Sequence, residues 1–413
     1  MARILFSFLG TARYSPTRYA FDGATGGAGP FRFFPQALIA ERRRLAGRKL
    51  PDRIVLCGTE TSGWEALVSA LEAPGAPEST GMPERRALSD IEIAAYAERY
   101  SPLLGIPTTA ARISFARDAD EQLGFIAMVE SHVDRGDSVE FDITHGLRHL
   151  PLVALTAALA IRALKGVTVE AIWYGAYELK TAREDPTPVI RLDGLLRTMD
   201  WISALTVFEA TGDMTRFGPL IDGETHAGTS RRLADLSFRE RVLQTSSIRQ
   251  AAIATLDALD DADEGVSRLV RPELQRRLSW ATNDHRIDEG FDLALRIAAN
   301  GNEVRALTLA FETAVEKIAI AGGLSLSFRR DEFSRIIGDV AERRKAGSSA
   351  AFAKAFLKLK KLRNAVVHID EKEHRRDEIL QSSEAFQKGL KILIQPLRLD
   401  VPKEFRDELA GMR

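Results

Sequence analysis

Two hydrophobic rhythms divide this chain. Through the first 190 residues, short apolar runs alternate with longer amphipathic stretches. The runs are ILFSFL (4–9), RIVLC (53–57), ARISFA (111–116), SVEFDI (138–143) and VTVEAIWYG (167–175). Runs of this length, rich in β-branched and aromatic residues, predict strands. Between them, PQALIAERRRLAG (35–47), GWEALVSALE (63–72), SDIEIAAYAERY (89–100), DEQLGFIAMVESHVDRG (120–136) and PLVALTAALAIRALKG (151–166) carry helical patterns. Strand alternating with helix predicts a parallel sheet covered by helices on both faces, a Rossmann-like α/β domain over residues 1–190. The stretch 10–30 is Gly-rich and reads as irregular, and 73–85 (APGAPESTGMPER) as a Pro/Gly-rich loop.

Past residue 190 strand runs become scarce. The patterns at 195–212, 231–261, 302–323, 352–368 and 375–397 are helical and predict an all-α bundle, with an acidic break at 257–267 (DALDDADEGVS). The expected organisation is therefore α/β plus all-α, in three parts: 1–190, a helical region at 191–330, and a helical core at 331–413 packed with the helices before it.

Composition narrows the choices. A length of 413 residues suits two or three domains. With 57 Lys and Arg against 58 Asp and Glu, the formal net charge is −1. No global basic field exists, so affinity for nucleic acid has to come from local patches. The single cysteine, Cys57, allows no intrachain disulfide and points to a reducing cytoplasm. The apolar run in MARILFSFLG is short and lacks a small-residue cleavage site, so it reads as a buried first strand rather than a leader. No apolar run approaches the 18 residues a membrane span needs.

In an open parallel sheet, ligands bind beyond the carboxyl ends of the strands, so the residues that follow each strand are the candidates. After the first run come Gly10, Thr11, Arg13 and Tyr14: a tight turn, a hydroxyl, a cation and an aromatic ring. This is neither G-x-G-x-x-G nor a Walker loop. After the second come Gly58 and Thr59. The sharpest stretch is FDITHGLRHLP (141–151), where Thr144, His145 and Gly146 end a strand and Arg148 precedes a helix opened by Pro151. Helix-entry amides with Arg148 suit a phosphate. The same spacing suits a plain strand-to-helix turn in which His145 caps backbone groups. A metal set of Asp142, His145 and His149 is the weaker alternative, because the His pair needs a helix that starts later.

In the helical half, KAFLKLKKLRNAVVHID (354–370) places Phe356, Leu359, Leu362 and Val366 on one apolar stripe. Asn364 and His368 are four residues apart and share a face. Arg363 lies five residues before His368, about 140° around the axis, so one helix does not aim both at one point. A two-fold dimer would bring two such sets to one groove. Imidazole moves protons near neutrality and guanidinium stabilises charge developing on phosphorus, chemistry that suits RNA cleavage without a metal. Lys354, Lys358, Lys360 and Lys361 would hold the backbone. The bland alternative is a solvated basic face with His368 at the negative end of the helix.

Taken together, the two halves resemble a known pairing. FSFLGT at the first strand with DITHG at a later strand end resembles the D-x-T-H-G family of CRISPR-associated Rossmann-fold (CARF) proteins. Arg363-Asn364-Ala365-Val366-Val367-His368 resembles the R-N-x-x-x-H motif of HEPN ribonucleases. The pairing looks like the accessory ribonucleases of type III CRISPR systems. This resemblance implies a homodimer whose N-terminal domains bind a cyclic oligoadenylate, most often cyclic tetra-adenylate, in a shared basin. Carried over, the ligand loops are Gly10 to Tyr14, Gly58-Thr59 and Thr144 to Arg148. The catalytic set is Arg363, Asn364 and His368 of both protomers, cutting single-stranded RNA with no cofactor required. Slow cleavage of the messenger in the CARF basin is a further implication. Two other classes compete: a non-catalytic cyclic-nucleotide-sensing regulator, which should carry a basic helix-turn-helix that the chain lacks, and a nucleotide-dependent metabolic enzyme, which should carry G-x-G-x-x-G.

Overall fold

A computed structural model describes the chain apart from residues 12–14, 23–27, 46, 68–85, 183, 223–228, 244, 261–266, 279–280, 282–285, 325–334, 340–341, 343–347, 369–376 and 411–413. The loop expected at 73–85 lies outside the described residues. The chain divides into two compact units, Met1–Leu196 and Arg197–Arg413.

The first unit is built on an eight-stranded sheet in the order β3-β2-β8-β7-β6-β1-β4-β5. Its strands are β1 (Arg3–Leu9), β2 (Thr17–Ala20), β3 (Ala28–Phe31), β4 (Arg53–Gly58), β5 (Thr108–Arg112), β6 (Ser138–Asp142), β7 (Thr168–Gly175) and β8 (Thr187–Arg191). The five strands from β7 to β5 run parallel. β8 turns back antiparallel on β7, β2 lies parallel to β8, and β3 is antiparallel to β2. The sheet is therefore mixed where an all-parallel one was expected.

Each departure has a local cause. β7 and β8 are joined without a crossover helix, and such a short return permits only antiparallel pairing. β2 and β3 lie in the stretch read as irregular; they are four residues each, and Gly29-Pro30 sits inside β3, chemistry that sheets accept only at an edge. The third predicted strand is shifted: β5 ends at Arg112, so most of ARISFA lies beyond it.

Alternate residues of β1 face opposite layers. Ile4, Phe6 and Phe8 pack with Phe141 and with α3 (Ala119–Ser131) and α4 (Leu150–Lys165), through Phe125, Ala154 and Ile161. Leu5 and Leu9 pack with Ile54, Leu56 and Trp64 and with α1 (Phe34–Arg44) and α2 (Asp90–Leu104), through Ala37 and Tyr100. The ends of α2 follow capping rules. Ser89 accepts from Glu92 N–H, Glu92 reaches back to Ser89 N–H, and Gly105 closes α2 at φ 64°.

The second unit is helical among the described residues. A first core joins α5 (Asp193–Thr211), α6 (Gly218–Asp222), α7 (Thr229–Arg241), α8 (Thr245–Asp260) and α9 (Ser267–Leu278) around Trp201, Phe217, Leu233 and Leu274. A second joins α10 (Arg286–Ala299), α11 (Glu303–Gly322), α12 (Ser348–Val367), α13 (Ser383–Arg398) and α14 (Lys403–Ala410) around Phe291, Phe311, Phe356, Leu359 and Leu390. The pattern at 231–261 is two helices rather than one, because Leu243 at φ 55° breaks the run. The pattern at 375–397 starts later: Asp377 caps a single 3-10 turn, and α13 begins at Ser383.

Candidate functional site

β1 is the strand at which the sheet order reverses: β4 and β5 lie on one side of it, β6 and β7 on the other. The crevice beyond the carboxyl ends of β1 and β6 is thus the topological switch point, where open α/β sheets bind ligands. A cavity of about 590 Å³ lies there, lined by Gly10 and Thr11 after β1, Thr144 to Arg148 after β6, and Tyr174 and Glu178 at the end of β7.

Buried hydrogen bonds hold its floor. Asp142 is fully buried opposite Ser7, whose hydroxyl donates to Asp142 Oδ2 at 2.5 Å, and Thr144 N–H donates to Oδ1 at 2.9 Å. Burial pushes the Asp142 carboxyl up to about 6, against the pull of those two donors. Thr144 Oγ1 in turn accepts from Gly175 N–H at 2.9 Å, tying the β6 loop to β7. Gly146 packs closely against β1, where a Cβ would stand 3.3 Å from Phe8.

His145 is a buried residue. Its Nε2 accepts from Phe34 N–H at 3.3 Å at the start of α1, and its ring meets Phe33 edge-on at 5.6 Å. Burial lowers its pKa to about 3, so the ring is neutral. The histidine thus helps cap α1 while one side borders the cavity. His149 Nε2 donates to the Phe115 carbonyl at 2.6 Å. The three groups of the metal alternative therefore each have a separate partner, and no group of three or more His, Cys, Asp or Glu among the described residues is arranged to hold a metal.

Arg148 is exposed at the rim. Gly58 and Thr59 stand behind the wall rather than in it. Thr59 N–H donates to Ser62 Oγ at 2.9 Å, Ser62 Oγ–H donates to the Leu9 carbonyl at 2.8 Å, and Gly63 N–H donates to the Gly10 carbonyl at 3.0 Å. A Cβ at Gly58 would collide with the Trp64 ring at 2.6 Å. This turn shapes the loop after β1 without lining the cavity. Arg13 and Tyr14 lie outside the described residues. Tyr174 and Glu178, joined by a 2.8 Å hydrogen bond from the Tyr hydroxyl, were missed by sequence reasoning. The rule that residues after each strand matter would have found Glu178, whereas Tyr174 lies within β7 itself.

The second place is the end of α12. Phe356, Leu359 and Leu362 are fully buried and Val366 packs against them, as the apolar stripe requires. Arg363 is half-buried, with its guanidinium 5.6 Å over the Phe311 ring of α11, and Nη1 donates to Asn364 Oδ1 at 3.0 Å. Its Nε is buried without a hydrogen-bond partner. His368 is exposed one residue past the last helical residue, where its N–H donates to the Asn364 carbonyl at 2.9 Å. No hydrogen bond joins Arg363 to His368 within the chain, in keeping with their angular offset.

Three of the four lysines share one groove. Lys354, Lys358 and Lys361 line an apolar groove against Ile392, Leu393 and Pro396 of α13, and Lys360 does not. Lys358 is paired with the buried Asp377 carboxylate, so it is not available to an RNA backbone.

Comparison with known proteins adds one relationship. Over 257 residues, 54% of this chain, the sequence is 24% identical to CRISPR-associated protein MJ1674 of Methanocaldococcus jannaschii. The chain is similar to a CRISPR-associated protein. The match spans 39% of that relative's length. No family model matches the chain. No described helix is long and apolar enough to cross a membrane.

Proposed function

We propose that this chain is an accessory endoribonuclease of a type III CRISPR system, with an N-terminal CARF domain that binds a cyclic oligoadenylate and a C-terminal HEPN domain that cuts single-stranded RNA. The observation that carries the reading is the cavity at the switch point, lined by the loop after β1 and the D-I-T-H-G loop after β6. A volume of about 590 Å³ suits a drug-sized ligand. It takes part of an oligoadenylate ring rather than the whole, so two protomers would share one messenger across a two-fold axis.

In the second unit, the half-buried guanidinium of Arg363 is the group this reading offers to a phosphate. Phe311 below the guanidinium and Asn364 beside it hold it in place. In this reading His368 accepts the proton of the RNA 2′-hydroxyl, whose oxygen attacks the adjacent phosphorus. Arg363 stabilises charge on the phosphoryl oxygens. The bond to the 5′-oxygen breaks, and that oxygen takes a proton from an acid of the composite site. The products carry a 2′,3′-cyclic phosphate and a 5′-hydroxyl, and the chemistry calls for no metal. The messenger acts by binding the active arrangement of the dimer more tightly than the inactive one.

The test is cleavage of a fluorescent single-stranded RNA in EDTA, with cyclic tri-, tetra- and hexa-adenylate added separately. Activity should appear with one ring and vanish in His368→Ala, which should still bind that ring. Full cleavage by His368→Ala would refute the catalytic assignment. Ring binding without any cleavage would favour the non-catalytic regulator.

A further inference from the structure

A second cavity, of about 330 Å³, lies inside the helical unit where its two cores meet. The ends of α5, α7, α9 and α10 and the start of α11 converge on it. One wall is apolar, from Phe208, Leu278, Leu293 and Ile297. The other is charged: Glu209 near the end of α5, Glu240 at the end of α7, Arg276 near the end of α9, Arg296 on α10 and Arg305 in the first turn of α11.

The polar wall is unfinished. Arg305 Nη2 donates to the Glu240 carbonyl at 2.8 Å, but its Nε is buried with no hydrogen-bond partner. Glu240 is 9% exposed, and its carboxylate forms an ion pair with Arg305 but no hydrogen bond to it. Its approach to Arg305 Nη2, at 3.7 Å, is too long for one. A guanidinium and a carboxyl thus lie side by side without closing the bond between them. Gly212, at φ 75°, sits so close that a Cβ there would meet Glu240 Oε1 at 2.6 Å, which pins the carboxyl on that side. A buried polar group without a partner calls for an explanation such as a bound ion, and a cavity with convergent polar groups is where a small molecule binds.

We propose that this cavity binds a phosphate monoester, with the dianionic group held by Arg305 and Arg296, the protonated Glu240 carboxyl donating to it, and the organic body against the Phe208–Leu293 wall. Fork-shaped guanidinium donors suit a tetrahedral oxyanion, and a neutral acid can sit beside a dianion where a carboxylate would repel it. Burial pushes the Glu240 carboxyl from its ordinary 4.5 to about 7, against the pull of Arg305, Arg296 and Arg241, with Asp213 adding to the rise. Asp213 is itself paired with Arg241 at 3.2 Å, and Arg276, which also lines the cavity, with Glu273 at 2.6 Å. Arginine stays charged across neutral pH, and Glu240 is a lining carboxyl that burial raises into that range.

The experiment is calorimetric titration of the full chain with sulfate, whose charge is constant over the range, at fixed ionic strength between about pH 6 and 8.5. Binding should be saturable at pH 6 and should weaken towards tenfold per pH unit above about 7, because one proton is taken up with the anion. Glu240→Gln should bind sulfate with little dependence on pH, and Arg305→Met should bind at least tenfold more weakly at pH 6. Adenosine 5′-monophosphate should bind at least tenfold more tightly than inorganic phosphate. Absence of saturable sulfate binding at pH 6, or a pH slope retained in Glu240→Gln, would overturn the site. Equal affinities for phosphate and the monoester would overturn the ester assignment.

Discussion

Asp142 joins the fold to the pocket, and its titration can be worked through. The perturbation is Asp142→Asn. In the wild type, burial moves the carboxyl from its ordinary 3.8 to about 6. Between these values the folded chain keeps a proton that the unfolded chain has released. Stability therefore falls as pH rises through this window and levels off above it. At about 1.4 kcal/mol per pH unit the loss is roughly 3 kcal/mol. The group is fully buried, so solvent does not screen this cost. Asparagine is neutral throughout. Its carbonyl oxygen keeps the bond from Thr144 N–H, and its amide donates to Ser7, whose hydroxyl rotates to accept. Urea unfolding of both proteins between about pH 4 and 7 isolates the effect, since His145 titrates in both and cancels. The stability difference should move by about 3 kcal/mol in favour of Asp142→Asn across that range. A difference constant with pH would refute the reasoning, because it would mean that Asp142 ionises in the folded chain at no cost.

Other outcomes follow from the same structure. His145→Gln keeps an acceptor for Phe34 N–H but removes a ring whose pKa burial lowers to about 3. The unfolded chain protonates this histidine as pH falls below about 6.5 and the folded chain does not, so the variant should lose less stability in acid, read by urea unfolding at pH 5 against pH 7. Arg148→Glu, at the exposed rim of the cavity, should weaken cyclic oligoadenylate binding at least tenfold, about 1.4 kcal/mol. The RNA cleavage proposed for the helical unit should not depend on this residue, and unchanged affinity would move the proposed phosphate contact elsewhere. Leu359→Ala removes a fully buried side chain from the core that seats Arg363 and should cost about 2–5 kcal/mol in the unfolding of the helical unit.

Periodicity alone determined much of this protein. The buried strands β1 and β4 are legible because a strand covered on both faces must be apolar at nearly every position, and β6 and β7 by their β-branched and aromatic residues. The stripe Phe356, Leu359, Leu362 marks α12 because a helix buries one face at three- and four-residue steps. The loop after β6 stood out by its residue types, and it does line the switch-point cavity. What only the tertiary structure decided depends on partners distant in sequence. The short strands β2 and β3 are held by pairing rather than by propensity; β2 is only four residues long, and Gly29-Pro30 hid the edge strand β3. Gly58 and Thr59 have the right position after a strand, yet Ser62 and Trp64 close over them. Lys358 looks free in the sequence until Asp377 folds back onto it. His145 reads equally as ligand contact or cap, and its burial against Phe33 and Phe34 is a property of α1, more than a hundred residues away. Glu240 and Arg305, 65 residues apart, have no shared motif. Their meeting at one cavity comes from helix packing, because a side chain's charge state and hydrogen-bond partners are set by what surrounds it, and the local pattern does not encode those surroundings.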